Sequence, residues 1–144
     1  MASSCVFAVK FYSACSCSTI PKPVVTFGAG YSALFYEMCT RMDIMCEIVN
    51  GYARGYLWKD TDNVEESNHG WNAVLIDDAW YLIDCTWDSG SEHDGVRNVK
   101  CSNTWLFVKP ESFLPTHFPL DSEFQLIKKP VTAAEFKAIP FSQP

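Results

Sequence analysis

No apolar run in the chain approaches the ~20 residues that a bilayer-spanning helix needs. The first residues, MASSCVFAVKFYSACSCS, have no cationic stretch, and their short apolar run is broken by Lys10, so they make a poor signal peptide. A basic patch is also missing: the net charge is -6, with the acids concentrated in 60–66 and 77–94, and nucleic acid is not an expected partner. The 7 cysteines contain no CxxC pair, only Cys15-x-Cys17, and the 3 histidines lie far apart in sequence. A zinc site built from paired ligand clusters is therefore not expected, and no other metal or cofactor is implied. Reduced thiols and no recognisable secretion signal predict a cytoplasmic setting without membrane association. There is no internal repeat and no low-complexity tract.

What the chain does have is enough length and apolar content for one folded domain. It is 144 residues long and 48% hydrophobic, and a chain of this size buries roughly 70% of its unfolded surface. Its mean hydropathy of -0.03 is ordinary for a globular protein. The aromatic share is high at 15%, with 5 Trp and 10 Phe, residues that go to cores and binding surfaces.

Residues 1–26 carry no clear period, and Pro21-Lys22-Pro23 blocks a helix there. They read as a divergent or truncated N-terminal segment ahead of a domain over 27–144. A helix is predicted over 29–42, where Tyr31, Leu34, Phe35, Met38, Cys39 and Met42 follow the spacing of a buried stripe. A strand follows over 45–53, then a polar, acidic loop over 54–68. The runs WNAVLI and WYLID flank Asp77-Asp78 and predict a hairpin. With a two-residue turn, Ile76 faces Ala79, Trp71 faces Asp84, and His69 becomes the diagonal neighbour of Asp84 on one sheet face. Residues 88–103 read as a charged loop, TWLFV (104–108) as a further strand, and KPESFLPTHFP as a short helical turn broken by Pro115. Thr132-Ala133-Ala134-Glu135 has the form of a capping box that opens a short helix before Pro140. The fold class is α+β, a helix packed on an antiparallel sheet.

A histidine and an acid on neighbouring strands, beside the N-terminus of a helix, are the parts of a thiol-activating site. The acid holds the imidazole in one tautomer, and the imidazole takes the proton of a cysteine. The thiol belongs at the helix N-terminus because the helix dipole and a nearby imidazolium lower its pKa to ~3.5–7.5. Here that N-terminus reads Phe27-Gly28-Ala29-Gly30-Tyr31.

The segments GYSALFYEMCTRMDIMCEIVNGYARG and NHGWNAVLIDDAWYLIDCTWDSG resemble the transglutaminase-like superfamily, with its papain-type core. LFVKPESFLPTHFPLDSEFQLIKKPVTAAEF is similar to the kyphoscoliosis peptidase branch of that superfamily. The likeness covers 27–140, and its H-x-W-N…W-Y-x-x-D-x-T-W block is specific. It implies His69 and Asp84 as catalytic base and orienting acid, with Trp71 and Gly30 lining the cleft. The family nucleophile stands two residues before the Gly-Tyr that opens the helix. Gly30-Tyr31 is that pair here, so the nucleophile position is Gly28, which has no side chain to attack with. The relatives also carry more helical sequence ahead of this point.

The other cysteines make poor substitutes. Cys39 falls nearly three turns into the helix and fits its apolar stripe, Cys46 reads as an inward-facing strand residue, and Cys85 points away from Asp84. Cys15 and Cys17 are the candidates for a relocated thiol. Ser32 has no evident approach to His69. Asn72 is expected to face away from His69 and anchor backbone, Trp80 and Trp87 to sit in the core, His93 to be solvated, and His117 to be structural. The expected function is a catalytically inactive transglutaminase-like module that binds protein or peptide segments. A working cysteine peptidase or acyl transferase with a relocated thiol, or a structural module of a cytoskeletal assembly, are the alternatives.

Overall fold

The computed structural model describes residues 27–55, 58, 59, 61–93 and 96–144, with the backbone alone at 27, 28, 92, 93 and 97. The expected segment 1–26, with Cys15 and Cys17, lies outside these residues. Helix α1 (Phe27–Arg41) leads into β1 (Cys46–Ala53), then the hairpin β2 (His69–Ile76) and β3 (Ala79–Ile83). A one-turn helix α2 (Cys85–Asp88), a small hairpin β4 (Ser91–His93) and β5 (Val96–Asn98), and a one-turn α3 (Pro110–Phe113) follow. Strand β6 (His117–Pro119), a 3-10 turn (Ser122–Gln125) and α4 (Ala133–Ala138) complete the order. The main sheet is antiparallel with strand order β3-β2-β1-β6.

α1 ends where Asp43 takes a left-handed conformation at φ 56°. Ile44 N–H then reaches back to Cys39 O at 2.9 Å and Asp43 N–H to Thr40 O at 3.2 Å. This is a Schellman closure with aspartate in the place glycine usually takes, and it turns the chain directly into β1. The inward face of the helix is Ser32, Phe35 and Cys39, with Met38 partly buried beside them. Leu34 is exposed because it lies on the flank of that face, and Met42 because it falls in the turn after the last helical residue, so these two depart from the expected stripe.

β2 is buried on both faces, which the alternation of its side chains makes possible. Trp71 and Ala73 join Val49, Leu82, Trp105, Val108 and Phe113 on one side of the sheet. Val74 joins Phe35, Cys39, Cys46 and Ile83 under α1 on the other. A third cluster, Tyr52, Val64, Phe118 and Phe136, ties β1 and β6 to α4. Arg54 fastens that corner. It is buried, its Nη1 donates to Ile139 O at 2.7 Å and Pro115 O at 3.2 Å, and its Nη2 donates to Phe136 O.

The expected hairpin forms with the expected register, Ile76 opposite Ala79. Asp77 and Asp78 both have positive φ, at 50° and 62°, the backbone of a type I′ turn that matches strand twist. The capping box at Thr132 and Glu135 forms as expected. The strand expected over 104–108 does not. Asp88 captures Trp105 N–H at 3.0 Å and Phe107 turns left-handed at φ 56°, so only Val108 bridges to Leu82. The loop expected over 88–103 contains the β4–β5 hairpin, and the turn expected in KPESFLPTHFP gives way at His117 to β6, paired with β1.

Candidate active site

The β2–β3 ladder stops at Asn72–Ile83, one pair short of Trp71–Asp84. There Asp84 leaves the strand, giving its own N–H to Trp105 O at 3.0 Å. It becomes the N-cap of α2, its Oδ1 accepting from Thr86 N at 2.8 Å and Trp87 N at 3.1 Å. Aspartate is among the best residues for that position. Capping fixes the carboxylate and leaves Oδ2 pointing at the end of β2, where His69 Nε2 lies 2.7 Å away. His69 therefore carries its proton on Nε2, and the lone pair of Nδ1 is left for a proton acceptor's work. Among the described residues Nδ1 makes no hydrogen bond.

A second imidazole meets the same oxygen. His117 Nε2 is 3.1 Å from Asp84 Oδ2, and its Nδ1 is 2.8 Å from Thr116 Oγ1. His117 is packed against Phe113, Trp87, Trp71 and Trp105, with ring centroids between 3.9 Å and 5.2 Å. Burial among these rings pushes its pKa down to about 4, against the pull of Asp84, so the ring is neutral. Burial alone would raise Asp84. The hydrogen bonds from His117 and His69 outweigh it, and the carboxyl stays ionised well below the usual carboxylate range.

Beside His69 lies a cleft of about 280 Å³, bounded by Tyr52, Gly55, Trp58, Asp62, Asn68 and Trp87. Tyr52 donates its hydroxyl to Asp62 Oδ2, and burial together with that carboxylate pushes the phenol up to about 12. Asn68 is used internally, closing on the backbone of Ala53 at 2.7 Å and 3.1 Å. The lining sets Asp62, Asn68 and His69 beside the indoles of Trp58 and Trp87, so a ligand would meet polar as well as apolar groups.

The helix packs on β2 beside this pair. Asn72 donates to Ser32 O at 3.1 Å and Glu47 O at 3.3 Å, anchoring backbone and facing away from His69. A Cβ on Gly70 would stand 3.5 Å from Ser32 Oγ, so the first turns of α1 lie against β2 next to His69. Gly28 is in the first turn of that helix.

The expected site residues separate in space. His69 and Asp84 come together. Trp71 is buried in the core, its ring stacked on His69 at 6.2 Å, and Gly30 is half-buried and not among the cleft residues. Trp87, expected in the core, is half-buried and forms part of the cleft wall. Cys39 and Cys46 are buried under α1, where the adjacent Cys39 thiol and burial push Cys46 upward; Cys85 packs on that same cluster, and Cys101 is exposed.

His69, Asp84 and His117 also present ligand atoms within 4.8 Å of one another, the one such cluster among the described residues. Two histidines and a carboxylate suit zinc in type. The contacts of 2.7 Å and 3.1 Å are hydrogen-bond lengths, with Asp84 Oδ2 as the shared acceptor.

An α+β core, a nucleophile-type helix laid against a sheet and a histidine–carboxylate pair at the strand ends together define a papain-like, transglutaminase-like domain. The chain belongs to the transglutaminase-like superfamily, in its kyphoscoliosis peptidase-like branch. It is 32% identical over 115 residues to the kyphoscoliosis peptidase of Homo sapiens, a match covering 75% of this chain and 17% of that protein. It is 27% identical over 128 residues to hillarin of Drosophila melanogaster, covering 77% of the chain and 15% of that protein. A Lim and transglutaminase domain protein of Caenorhabditis elegans is 25% identical over 130 residues, covering 77% of the chain and 17% of that protein. The chain thus spans less than a fifth of the length of these curated relatives. No family model matches it.

Proposed function

We propose that this chain is a transglutaminase-like domain that binds a protein or peptide segment in the cleft beside His69 and carries out no covalent chemistry. The observation that supports the reading is Gly28, at the position the family nucleophile takes, together with the 2.7 Å contact of His69 Nε2 with Asp84 Oδ2. Acyl transfer through this site needs a thiolate within reach of His69 Nδ1. The four described cysteines do not supply one: three belong to the helix side of the core, and Cys101 is exposed in the segment after β5. The cleft, about 280 Å³ and lined by two indoles, remains. The free thiols agree with a reducing, cytoplasmic setting.

The test is the alkylation rate of every cysteine by iodoacetamide, by peptide mapping, in the native chain and in His69→Ala. The reading predicts the same rates in both. A fast label on Cys15 or Cys17 that disappears in His69→Ala identifies instead an active enzyme with a relocated thiol. For the binding half, peptides selected on the domain from a displayed random library should bind saturably and lose binding in Trp87→Ala. Failure to select any such peptide favours a structural module, including a cytoskeletal one, over a binding domain.

A further inference from the structure

His117 fits its surroundings too specifically for a packing residue. A phenylalanine would fill the space between Phe113, Trp87, Trp71 and Trp105 equally well, yet an imidazole is there with no exposed surface and both nitrogens engaged. The proton positions follow by counting. Asp84 Oδ2 is ionised and can only accept, so it takes Nε2–H from His69 and from His117. A neutral His117 then has a lone pair at Nδ1, which faces the Thr116 hydroxyl at 2.8 Å; that hydroxyl also lies 3.0 Å from Phe113 O, so its one proton is divided between the two acceptors. With Thr86 N and Trp87 N on Oδ1, the carboxylate has four donors, and His69 is only one of them.

We propose that His117 is a positioning residue of this site: by sharing Asp84 Oδ2 with His69, it divides the carboxylate's charge between two imidazoles and limits how strongly Asp84 can hold His69. A carboxylate with one fewer donor concentrates its charge on the partners that remain, and the partner able to gain a proton is His69. Asp62 and Tyr52 across the cleft and Asp88 at the end of α2 are the other titratable groups around the pair, and the His117 ring hydrogen-bonds to none of them. The inference rests on His69 and Asp84 forming the site, and it holds whether or not a thiol serves them.

The experiment follows the ring nitrogens of His69 and His117 by two-bond 1H–15N spectra across pH in the native chain, His117→Phe and His117→Gln. In the native chain His117 should be a neutral Nε2–H tautomer near neutral pH, and His69 should carry a proton on Nε2. In His117→Phe, which fills the aromatic space but donates nothing, the titration midpoint of His69 should rise by about one pH unit. In His117→Gln, whose amide can donate to Asp84, the midpoint should return most of the way. A folded His117→Phe with an unmoved His69 midpoint overturns the proposal, as does a glutamine variant that shifts as far as phenylalanine. If His117→Phe does not fold, the native spectra decide: a His117 that is cationic near pH 6, or neutral with its proton on Nδ1, contradicts the shared-oxygen arrangement. A His69-dependent label on a native cysteine would end the binding-domain reading and leave this one standing, so the two fail separately.

Discussion

His69 Nε2 lies 2.7 Å from Asp84 Oδ2 although the two residues are not partners in the β2–β3 ladder. Their contact depends on a register set at the far end of the hairpin, by Asp77 and Asp78. A shift of one residue there would put the imidazole and the carboxylate on opposite faces of the sheet.

The turn is therefore the first place to test. Asp78 has a φ of 62°, a conformation that costs a non-glycine residue roughly 1–2 kcal/mol. Asp78→Gly should stabilise the fold by about 0.5–1 kcal/mol, read as a melting-temperature rise of about 1–4 °C. Asp78→Val, β-branched in the same conformation, should lower it by more than that. A neutral or stabilising valine would mean that the turn does not have this backbone.

The buried histidine predicts an acid-sensitive fold. His117 stays neutral in the folded state down to about pH 4, whereas its ordinary value is 6.5. The unfolded chain thus binds more protons between those values, and stability is lost as pH falls from about 6.5 towards about 4. Asp84, held low in the fold, contributes stability that is present above the ordinary carboxylate range and lost below it. Urea midpoints should fall between about pH 7 and about pH 4.5 in the native chain, and the decline should be shallower in His117→Gln. An equal slope in both would remove His117 as its source.

Arg54 holds the C-terminal helix to the end of β1 through two carbonyls, Phe136 O and the C-cap Ile139 O, with Pro115 O ahead of β6 as a third acceptor, and its guanidinium lies 4.0 Å over Phe136 and 4.7 Å over Trp58. Lysine has the charge without the planar fork. Arg54→Lys should cost about 2–4 kcal/mol in urea unfolding and speed hydrogen exchange of the amides of Ala133–Ala138 first. Uniform loss of protection across the sheet would show that Arg54 supports the whole fold rather than this corner.

Gly51 sits between His69 on β2 and Pro119 on β6. A Cβ there would stand 2.5 Å from Trp71 Cη2 and 2.7 Å from Pro119 Cα, whereas one on Gly55 would meet nothing within 4 Å. Gly51→Ala should destabilise by at least about 2 kcal/mol, and Gly55→Ala should stay within about 0.5 kcal/mol of native. Similar melting temperatures for the two would contradict the packing at Gly51.

Much of the frame was legible in local pattern. The register from Asp77-Asp78 and the capping at Thr132 depend on residues close in sequence, and both follow directly from it. The elements that escaped depend on distant partners. Trp105 reads as a strand residue until Asp88 captures its N–H, and His117 reads as part of a proline-bracketed turn until β1 offers it an edge. The cleft wall was missed for the same reason. Tyr52, Trp58 and Asp62 face His69 only once β1 and the loop after it fold together, and no spacing in the chain announces that.

The central claim is that the site is complete apart from its nucleophile, and Gly28→Cys tests it most directly. The introduced thiol should be alkylated by iodoacetamide at about pH 6 on the order of tenfold faster than in Gly28→Cys combined with His69→Ala, because His69 and the start of α1 would hold it as a thiolate. Alkylation no faster than in the double variant would mean that His69, Asp84 and the helix do not form a thiol-activating site.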